Sequence, residues 1–352
     1  MEDKSLVHFS ILDTPIDDSP FVADKESVHR SYTNPFSVHP AYRHVFRPQR
    51  LTFGLMAPFT GYPNPEPESF TDLIADAQRA EAAGLTALWV RDVPMFDPYF
   101  GDAGQGLDPM VTLGMLAANT KNIALGSAGF ISSLRYPIHV AKAAVSVDVA
   151  SQGRMLLGLC TGDRPIEFTL FGQDFHNRGE RFRDSWDMIR CLTNKDVSFP
   201  VTKSTYYGRL PGSVDVTPHP TQTIPMIAIG RCRQPIQWLA NNVDAWIWHG
   251  VNPRDTRKIV DTLQRMNERD TWVPFGYGNM VELLADEFAP VELIRNVYIR
   301  GGIRSLAAFY REQAEQGLSH VILNFKPTTL PMHYVLDAVA EYLLPITNDP
   351  IE

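Results

Sequence analysis

The sequence is poor in cysteine, has no excess of basic residues and contains no long apolar run. Only three of its 352 residues are cysteines (Cys160, Cys191 and Cys232), so we expect reduced thiols in a cytoplasmic protein rather than a disulfide framework. The formal net charge of −8 argues against nucleic acid as a partner, because binding phosphates requires a basic surface. No stretch approaches the roughly 18 apolar residues of a membrane span. The N-terminal residues also lack the pattern of a secretion signal.

The motifs of several common enzyme classes are absent as well. The chain has no His-x-His pair and no carboxylate-rich cluster, and its cysteines are widely spaced, so we expect no metal site. It lacks both the Gly-x-x-x-x-Gly-Lys-Ser/Thr motif of ATP-binding loops and the Gly-x-Gly-x-x-Gly motif of Rossmann domains. These absences argue against a metal hydrolase, a P-loop enzyme and a Rossmann dehydrogenase.

What is present is a regular alternation of strand-like and helix-like segments from Leu51 onward. Eight apolar strands are each followed by a helix, and strands that are apolar throughout indicate burial on both faces. We therefore predict an α/β fold, a (β/α)8 TIM barrel over residues 49–352, preceded by an irregular N-terminal arm over residues 1–48. Residues 195–224 interrupt the alternation and predict an insertion near the C-terminal mouth. An open doubly wound sheet is the alternative.

In such a barrel the residues that follow the strands form the functional site. The third strand ends in four small residues, Gly126, Ser127, Ala128 and Gly129, which leave room for a flat ring to approach the backbone. Tight packing against a neighbouring helix is the alternative explanation. Residues 230–233, GRCR, lie between the fifth strand and a helix and predict a phosphate site, unless both arginines are solvated or paired with carboxylates.

Several single residues have both a functional and a structural interpretation. His249 is a candidate acid or base, or else a structural histidine. We expect Asp92 to pair with its neighbour Arg91, and only one of Trp246 and Trp248 to face the barrel interior. The segment RGERFRD, which begins at Arg178, is typical of a solvated helix face.

A long segment of the chain resembles the bacterial-luciferase-like flavin monooxygenases and oxidoreductases. The strongest part is GSAGFISSLRYPIHVAKAAVSVDVASQGRMLLGLCTGDRPIEFTLFG, which has this family's order of small-residue strand, Pro-initiated helix, GR, strand and EF..FG. The segments RDVPMFDPYFGDAGQGLDP and IGRCRQPIQWLA look like an uncharacterised luciferase-type subgroup. The likeness runs from about Leu51 to the end of the chain.

The resemblance implies a flavin site at the barrel mouth. It implies a non-prolyl cis peptide at Ala128–Gly129 under the ring and a reactive cysteine beside the flavin at Cys160. It implies a phosphate loop in which Cys232 replaces a frequent serine. Light-emitting relatives have a histidine pair after the second strand, where this chain has Asp92-Val93-Pro94, so light emission is not expected and the catalytic base is unassigned.

Together these considerations predict an FMN- or FMNH2-dependent monooxygenase that uses O2 to oxidise a small organic substrate. A separate flavin reductase would supply the reduced cofactor, or bound FMN would pass hydride instead. A deazaflavin-dependent oxidoreductase and a non-catalytic flavin-binding subunit are the alternatives, and the acidic chain favours FMN over the acidic-tailed deazaflavin. The resemblance implies a homodimer, because relatives often pair through their early helices. The candidate catalytic residues are His249, Asp92 and Cys160, and the candidate cofactor-binding residues are Ala57, Ser127, Ala128, Gly129, Cys160, Thr161, Gly162, Gly230, Arg231, Cys232, Arg233 and Trp248.

Overall fold

Eight parallel strands form a closed barrel in the computed structural model, which describes residues 33–34, 36–59, 69–97, 106–295 and 298–348. Each strand pairs with the next along the chain, and the eighth pairs with the first, for example His320 with Thr52. The (β/α)8 prediction is therefore confirmed. The strands are β1 Thr52–Ala57, β2 Ala87–Val90, β3 Ala124–Ser127, β4 Met155–Cys160, β5 Met226–Ile229, β6 Ala245–His249, β7 Phe275–Leu283 and β8 His320–Asn324.

One main helix follows each strand and begins at the same end of the barrel. Ser69 caps the first helix by accepting a hydrogen bond from the Asp72 N–H, and Gly84 ends it in the left-handed conformation that the sequence predicts. Pro109 occupies the first turn of the second helix. The helices are α1 Phe70–Ala83, α2 Pro109–Asn119, α3 Pro137–Ala150, α4 Arg178–Leu192, α5 Ile236–Asn242, α6 Thr256–Met266, α7 Ile303–Glu315 and α8 Met332–Ala338. None of the described helices is both long and apolar enough to cross a membrane.

Side chains alternate along each strand between the barrel interior and the layer under the helices. The centre of the interior is filled by the indole of Trp89, whose Nε1 donates to Nε2 of His320 over 3.0 Å. A Cβ atom on Gly126 would lie 2.3 Å from this indole, and one on Gly54 would lie 2.6 Å from it. Gly126 is therefore small because Trp89 needs the space, so this one residue of the small-residue run serves packing, but against a strand residue in the barrel interior and not against a helix.

The base of the barrel is closed by residues 36–46, which include the short helix Pro40–Val45. Tyr42 and Phe46 are fully buried and pack against interior side chains of several strands. The Tyr42 hydroxyl donates to the Asp244 carbonyl over 2.6 Å. This part of the predicted N-terminal arm thus plugs the barrel, whereas residues 1–32 lie outside the described part of the chain.

The insertion between α4 and β5 contains an antiparallel hairpin of Val201–Ser204 and Gly208–Pro211. Its tip reaches the C-terminal mouth, where the Tyr136 hydroxyl donates to the Tyr207 carbonyl over 2.5 Å. Several short elements of the described chain were not predicted from the sequence. They include the helix Pro165–Leu170 and the strand Phe130–Ile131, which pairs with β4. They also include the strands Glu292–Ile294 and Tyr298–Gly301, the second of which adds to the end of β7.

Candidate functional site

The C-terminal mouth of the barrel brings together residues from most of the strands. The last inward-facing residues of the strands, and the residues that follow them, have a mixture of cationic, small, polar and apolar side chains. These are Met56, Arg91, Ala128, Cys160, His249, Asn324 and Lys326. One sequence candidate of β1 faces the other way. Ala57 belongs to the outer layer under the helices, so Met56 is the inward residue of β1.

The floor of the mouth is the end of β3. The Ala128–Gly129 peptide is cis, which confirms the position implied by the family resemblance. Ala128 is half-buried, and a Cβ atom on Gly129 would lie 2.7 Å from the Cβ of Ile229, so no side chain fits there. The expectation that Ser127 faces a cofactor is wrong. Its hydroxyl donates to the Gly158 carbonyl over 2.8 Å and accepts from the Gly158 N–H, which fastens β3 to β4.

Cys160 lies beside this floor, with its Sγ donating to the Gly129 carbonyl over 3.2 Å. Burial, with a smaller contribution from Cys232, raises the pKa of the Cys160 thiol well above its usual range. A protonated thiol is a poor nucleophile. The structure therefore favours a positioning role for Cys160 over the reactive role implied by the resemblance.

The wall next to the floor is formed by residues 161–162. The Thr161 carbonyl accepts a hydrogen bond from the Ser133 hydroxyl over 2.5 Å. Gly162 has a φ of +77°, and a Cβ atom there would approach Ile131 to 2.9 Å. Both residues lie at the mouth, where the sequence predicts them.

The loop after β5 docks on the beginning of α4. The Gln234 side chain donates to the Gly179 carbonyl over 2.9 Å and accepts from Arg183. A Cβ atom on Gly179 would lie 2.9 Å from the Cβ of Arg233, so the two backbones are in close contact. Asn177, which precedes α4, gives the helix no side-chain cap. The Glu180 N–H donates to the Asn177 carbonyl over 3.0 Å, so in the first turn the N–H groups of Arg178 and Gly179 are the ones left for an anion among the described residues.

Three arginines surround this corner of the mouth, and two of them have unused donors. Arg178 is buried, stacks on Phe175 and has an Nε atom with no hydrogen-bond partner among the described residues. Arg231 likewise has an Nε and an Nη1 without partners in this part of the chain. Arg233 is exposed, and its charge helps to lower the pKa of Arg178, an effect due mainly to burial. We call Arg178, Arg231 and Arg233 the cationic corner.

This corner corrects two predictions. The segment that begins at Arg178 is not a solvated helix face, because Arg178 and Arg181 are both buried and Arg181 donates to the Ser133 carbonyl over 3.2 Å. Cys232 does not replace a phosphate-binding serine. Its thiol is buried and donates to the Ile229 carbonyl over 3.2 Å, and burial raises its pKa.

His249 ends β6 with its ring exposed to the mouth. Desolvation by the surrounding wall and the positive charge of Arg91 lower its pKa to about 4, so the ring is neutral at pH 7. A hydrogen bond to the Gly278 backbone holds the ring, whose Nδ1 lies on the Gly278 side. If Nδ1 carries the proton of that bond, Nε2 faces the mouth as an acceptor.

Trp246 and Trp248 both point away from the barrel interior, so the expectation that one of them faces inward is wrong. Residues two apart on a strand share a face, and the two indoles stack at 5.3 Å under the helices while Ile247 points inward. Trp248 reaches the site only indirectly, through Arg231, whose guanidinium lies 5.5 Å from its ring.

Asp92 forms its ion pair with Arg135, at 2.6 Å, and not with Arg91 as predicted. It also accepts from the Ile131 N–H over 2.9 Å, and burial raises its pKa. Its carboxylate thus holds the segment after β3 in place, which makes Asp92 a positioning residue and a weak candidate for catalysis.

A second buried ion pair, Arg164 with Glu167, lies in the EF..FG motif and is not predicted from the sequence. Arg164 lies 3.9 Å from Glu167, and its Nη1 donates to the Met95 carbonyl over 3.3 Å. Burial raises the pKa of Glu167 to about 7. The pair fastens the segment after β2 to the segment after β4, and nothing in the sequence pattern alone marks it as buried.

A comparison with protein families identifies the family to which the chain belongs. A family model described as luciferase-like monooxygenase matches residues 51–317. The chain belongs to the luciferase-like monooxygenase family. The matched part includes the floor, the wall, the cationic corner and His249, so the resemblance drawn from the sequence is confirmed.

Among individual luciferase-like relatives, two are named as dependent on F420. The F420-dependent glucose-6-phosphate dehydrogenase of Amycolatopsis mediterranei is 31% identical over 165 residues, 45% of this chain and 47% of that protein. The F420-dependent hydroxymycolic acid dehydrogenase of Mycobacterium tuberculosis is 33% identical over 132 residues, 36% of each chain. This chain thus spans about half or less of the length of these relatives.

Solved structures share the fold at low identity. An F420-dependent secondary alcohol dehydrogenase superimposes with a TM-score of 0.69 at 16% identity, covering 85% of this chain and all of that one. The monooxygenase RslO1 from Streptomyces bottropensis gives a TM-score of 0.67 at 16% identity, covering 84% of this chain and 99% of its own. The same barrel therefore occurs in deazaflavin dehydrogenases and in monooxygenases.

Proposed function

We propose that this luciferase-like oxidoreductase uses the deazaflavin coenzyme F420 to oxidise or reduce a small molecule at a carbon–oxygen bond. The observation that carries the proposal is the cationic corner, whose unused guanidinium donors suit the phosphate and the acidic tail of this coenzyme. The F420-dependent relatives support it. The sequence favours FMN because the chain is acidic overall, but the charge at the mouth is locally positive.

The residues of the mouth fit a flat ring with an anionic tail. The ring would lie on the Ala128–Gly129 floor, where Ile229 leaves no room for a side chain at position 129. The tail would lie at Arg178, Arg231 and Arg233, against the uncapped first turn of α4. When bound, the deazaflavin supplies two-electron redox chemistry, and the protein supplies position and electrostatics.

The chain's own contribution to the reaction centres on His249. A neutral imidazole can take the proton of a substrate hydroxyl as the carbon is oxidised, and return it in the reverse direction. The pKa of about 4 keeps the ring in this neutral form throughout the physiological range. Cys160 and Asp92 hold the floor and the adjoining segment in place.

An FMN-dependent monooxygenase that takes reduced flavin from a reductase is the second candidate. It is supported by the shared fold with RslO1. A sulfur or carbon centre of the substrate would then be oxygenated at the same floor, and the cationic corner would bind the FMN phosphate.

Binding and turnover measurements separate these candidates. We expect the purified chain to bind F420 more tightly than FMN in an absorbance titration, and Arg178→Gln with Arg233→Gln to weaken F420 binding about 100-fold, since each lost charge-assisted contact costs about tenfold. Arg209→Gln on the exposed hairpin is the matched control. Tighter binding of FMN, with oxygen uptake by reduced flavin, would instead establish the monooxygenase.

We also propose a homodimer that forms through α2 and α3. Val111 on α2 and Val149 on α3 are apolar residues exposed on the outer surface. Light scattering of the wild type and of Val111→Asp tests this assignment, because a charge at the contact should yield monomers.

A further inference from the structure

A groove on the outer surface of the barrel shares no lining residue with the mouth. It lies between α7, the strand Glu292–Ile294 and the short helical turn Pro253–Asp255 that precedes α6. Its volume is about 360 Å³, whereas one water occupies roughly 30 Å³. The groove is therefore large enough for a small organic molecule.

The strand and the helix each give the groove an apolar wall. Val291 and Leu293 are two residues apart in extended chain, so their side chains share a face, and both are half-buried. Phe309 of α7 also lines the groove and is half-buried. An apolar group bound here would remove the remaining exposed surface of these side chains from water, which is favourable.

The helix wall also contains an amide with one unpaired end. Gln313 is only 2% exposed and lines the groove. Its Oε1 accepts a hydrogen bond from the Tyr277 hydroxyl over 3.4 Å and lies 2.7 Å from the Thr256 hydroxyl. Its Nε2 has no hydrogen-bond partner among the described residues. This nitrogen is thus left for water or for an acceptor atom of a ligand.

Two opposite charges line the groove without neutralising each other. Arg254 and Glu312 are both exposed, and neither forms an ion pair with another residue of the described chain. The Gln316 side chain donates to Oε1 of Glu312 over 3.4 Å, which leaves the second carboxylate oxygen without a partner in this part of the protein. A guanidinium and a carboxylate that remain unpaired in one groove are complementary to a ligand that carries both charges.

We propose that this groove binds a small zwitterion with an apolar side chain, of the class of the hydrophobic α-amino acids. Arg254 and the Gln313 amide bind its carboxylate, and Glu312 binds its ammonium group. The apolar side chain lies against Leu293 and Phe309. The site does not depend on the proposed function, because it shares no residue with the mouth. The competing explanation is that Arg254 and Glu312 are solvated surface side chains that bind no ligand.

Calorimetry on the full chain without cofactor tests the proposal, with L-phenylalanine as the probe. Its matched compounds are hydrocinnamate, which lacks the ammonium group, phenethylamine, which lacks the carboxylate, and L-alanine, which lacks the ring. We expect L-phenylalanine to bind at least about tenfold more tightly than each of the three, because each of them loses one of the proposed contacts.

Variants assign the two charged contacts. Arg254→Gln should weaken L-phenylalanine binding about tenfold and leave phenethylamine binding unchanged, because phenethylamine has no carboxylate to lose. Glu312→Gln should weaken L-phenylalanine binding by a similar factor and leave hydrocinnamate binding unchanged. Arg254→Lys, which keeps the charge, should stay within about threefold of wild type. Lys203→Gln on the exposed hairpin is the surface control, and Arg178→Gln is the control for the mouth. Neither control should change the affinity.

Equal binding of the four compounds, no binding of L-phenylalanine up to its solubility limit, or wild-type affinity in both Arg254→Gln and Glu312→Gln would overturn the proposal. So would a loss of affinity in Arg178→Gln alone, because the ligand would then bind at the mouth. Hydrogen exchange locates the ligand independently, since binding should slow exchange in residues 250–256 and 291–295. Protection confined to residues 226–234 would contradict the assignment. Thermal melting of each variant identifies any loss of binding that is due to unfolding. None of these measurements involves F420, so a failure of F420 to bind refutes the proposed function alone.

Discussion

The two ends of the barrel are built on opposite principles. At the base, residues 36–46 fill the opening with buried side chains, and the Tyr42 hydroxyl has a partner. At the mouth, buried guanidinium nitrogens of Arg178 and Arg231 have no hydrogen-bond partner among the described residues. The base satisfies its polar groups and maximises contact, as a region that serves stability does. The mouth leaves some of its polar groups without partners in the described part of the chain, as expected where a ligand completes the structure.

The strongest test of this contrast removes the main side chain of the base. We expect Tyr42→Ala to reduce the free energy of unfolding by about 3–5 kcal/mol, because a fully buried aromatic ring is lost and a cavity remains. Tyr42→Phe should cost only about 1 kcal/mol, the value of one hydrogen bond. Chemical denaturation measures both. A loss of F420 affinity in folded Tyr42→Phe would show that the two ends are not independent.

Acid should affect the base through its histidine. Burial lowers the pKa of His39 to about 4, below the usual 6.5, so the unfolded chain binds the proton more readily. His39 therefore contributes to a loss of stability as the pH falls from about 6.5 to 4, amounting to roughly 3 kcal/mol at most. In His39→Asn the side chain can still accept from the Tyr42 N–H, as His39 does, but has no proton to gain. The measurement is the free energy of unfolding against pH, and an identical slope in the variant would contradict this assignment.

The smallest effect on stability is expected at Gly129, in the floor of the mouth. Gly129→Ala should destabilise the protein by about 1–3 kcal/mol, because the new Cβ lies 2.7 Å from Ile229. Ile229→Ala in the same chain should recover part of that loss. Gly114→Ala, on a helix surface with nothing within 4 Å, is the control and should be neutral or slightly stabilising. Full stability of Gly129→Ala in thermal melting would mean that the floor has more space than the structure shows.

The sequence predicts the barrel well because its apolar strands and helix stop signals are local. All eight barrel strands lie where the alternation places them. The strands at Glu292–Ile294 and Tyr298–Gly301 were missed because they are short and partly exposed, so they lack a continuous apolar run.

The features of the candidate site that were predicted correctly from the sequence are features of the backbone. The cis peptide at Ala128–Gly129 stands where the family resemblance places it. Side-chain directions and ion-pair partners were predicted less well. Asp92 pairs with Arg135 across 43 positions of sequence, a contact that only the closed barrel creates. In the sequence Arg178 is one of several charged residues of a predicted helix. Only the fold shows that it is buried beside the loop after β5. The net charge of the whole chain likewise does not predict that several arginines cluster at one place in the fold.

The sealed base has a consequence for the order of events. Trp89 and the helix Pro40–Val45 close the barrel from below, so among the described residues every molecule that reaches the floor arrives through the mouth and departs the same way. A cofactor lying on the floor would be covered by whatever binds above it. If the cofactor lies on the floor, it must therefore bind before the substrate. The product must then leave before the cofactor can be exchanged.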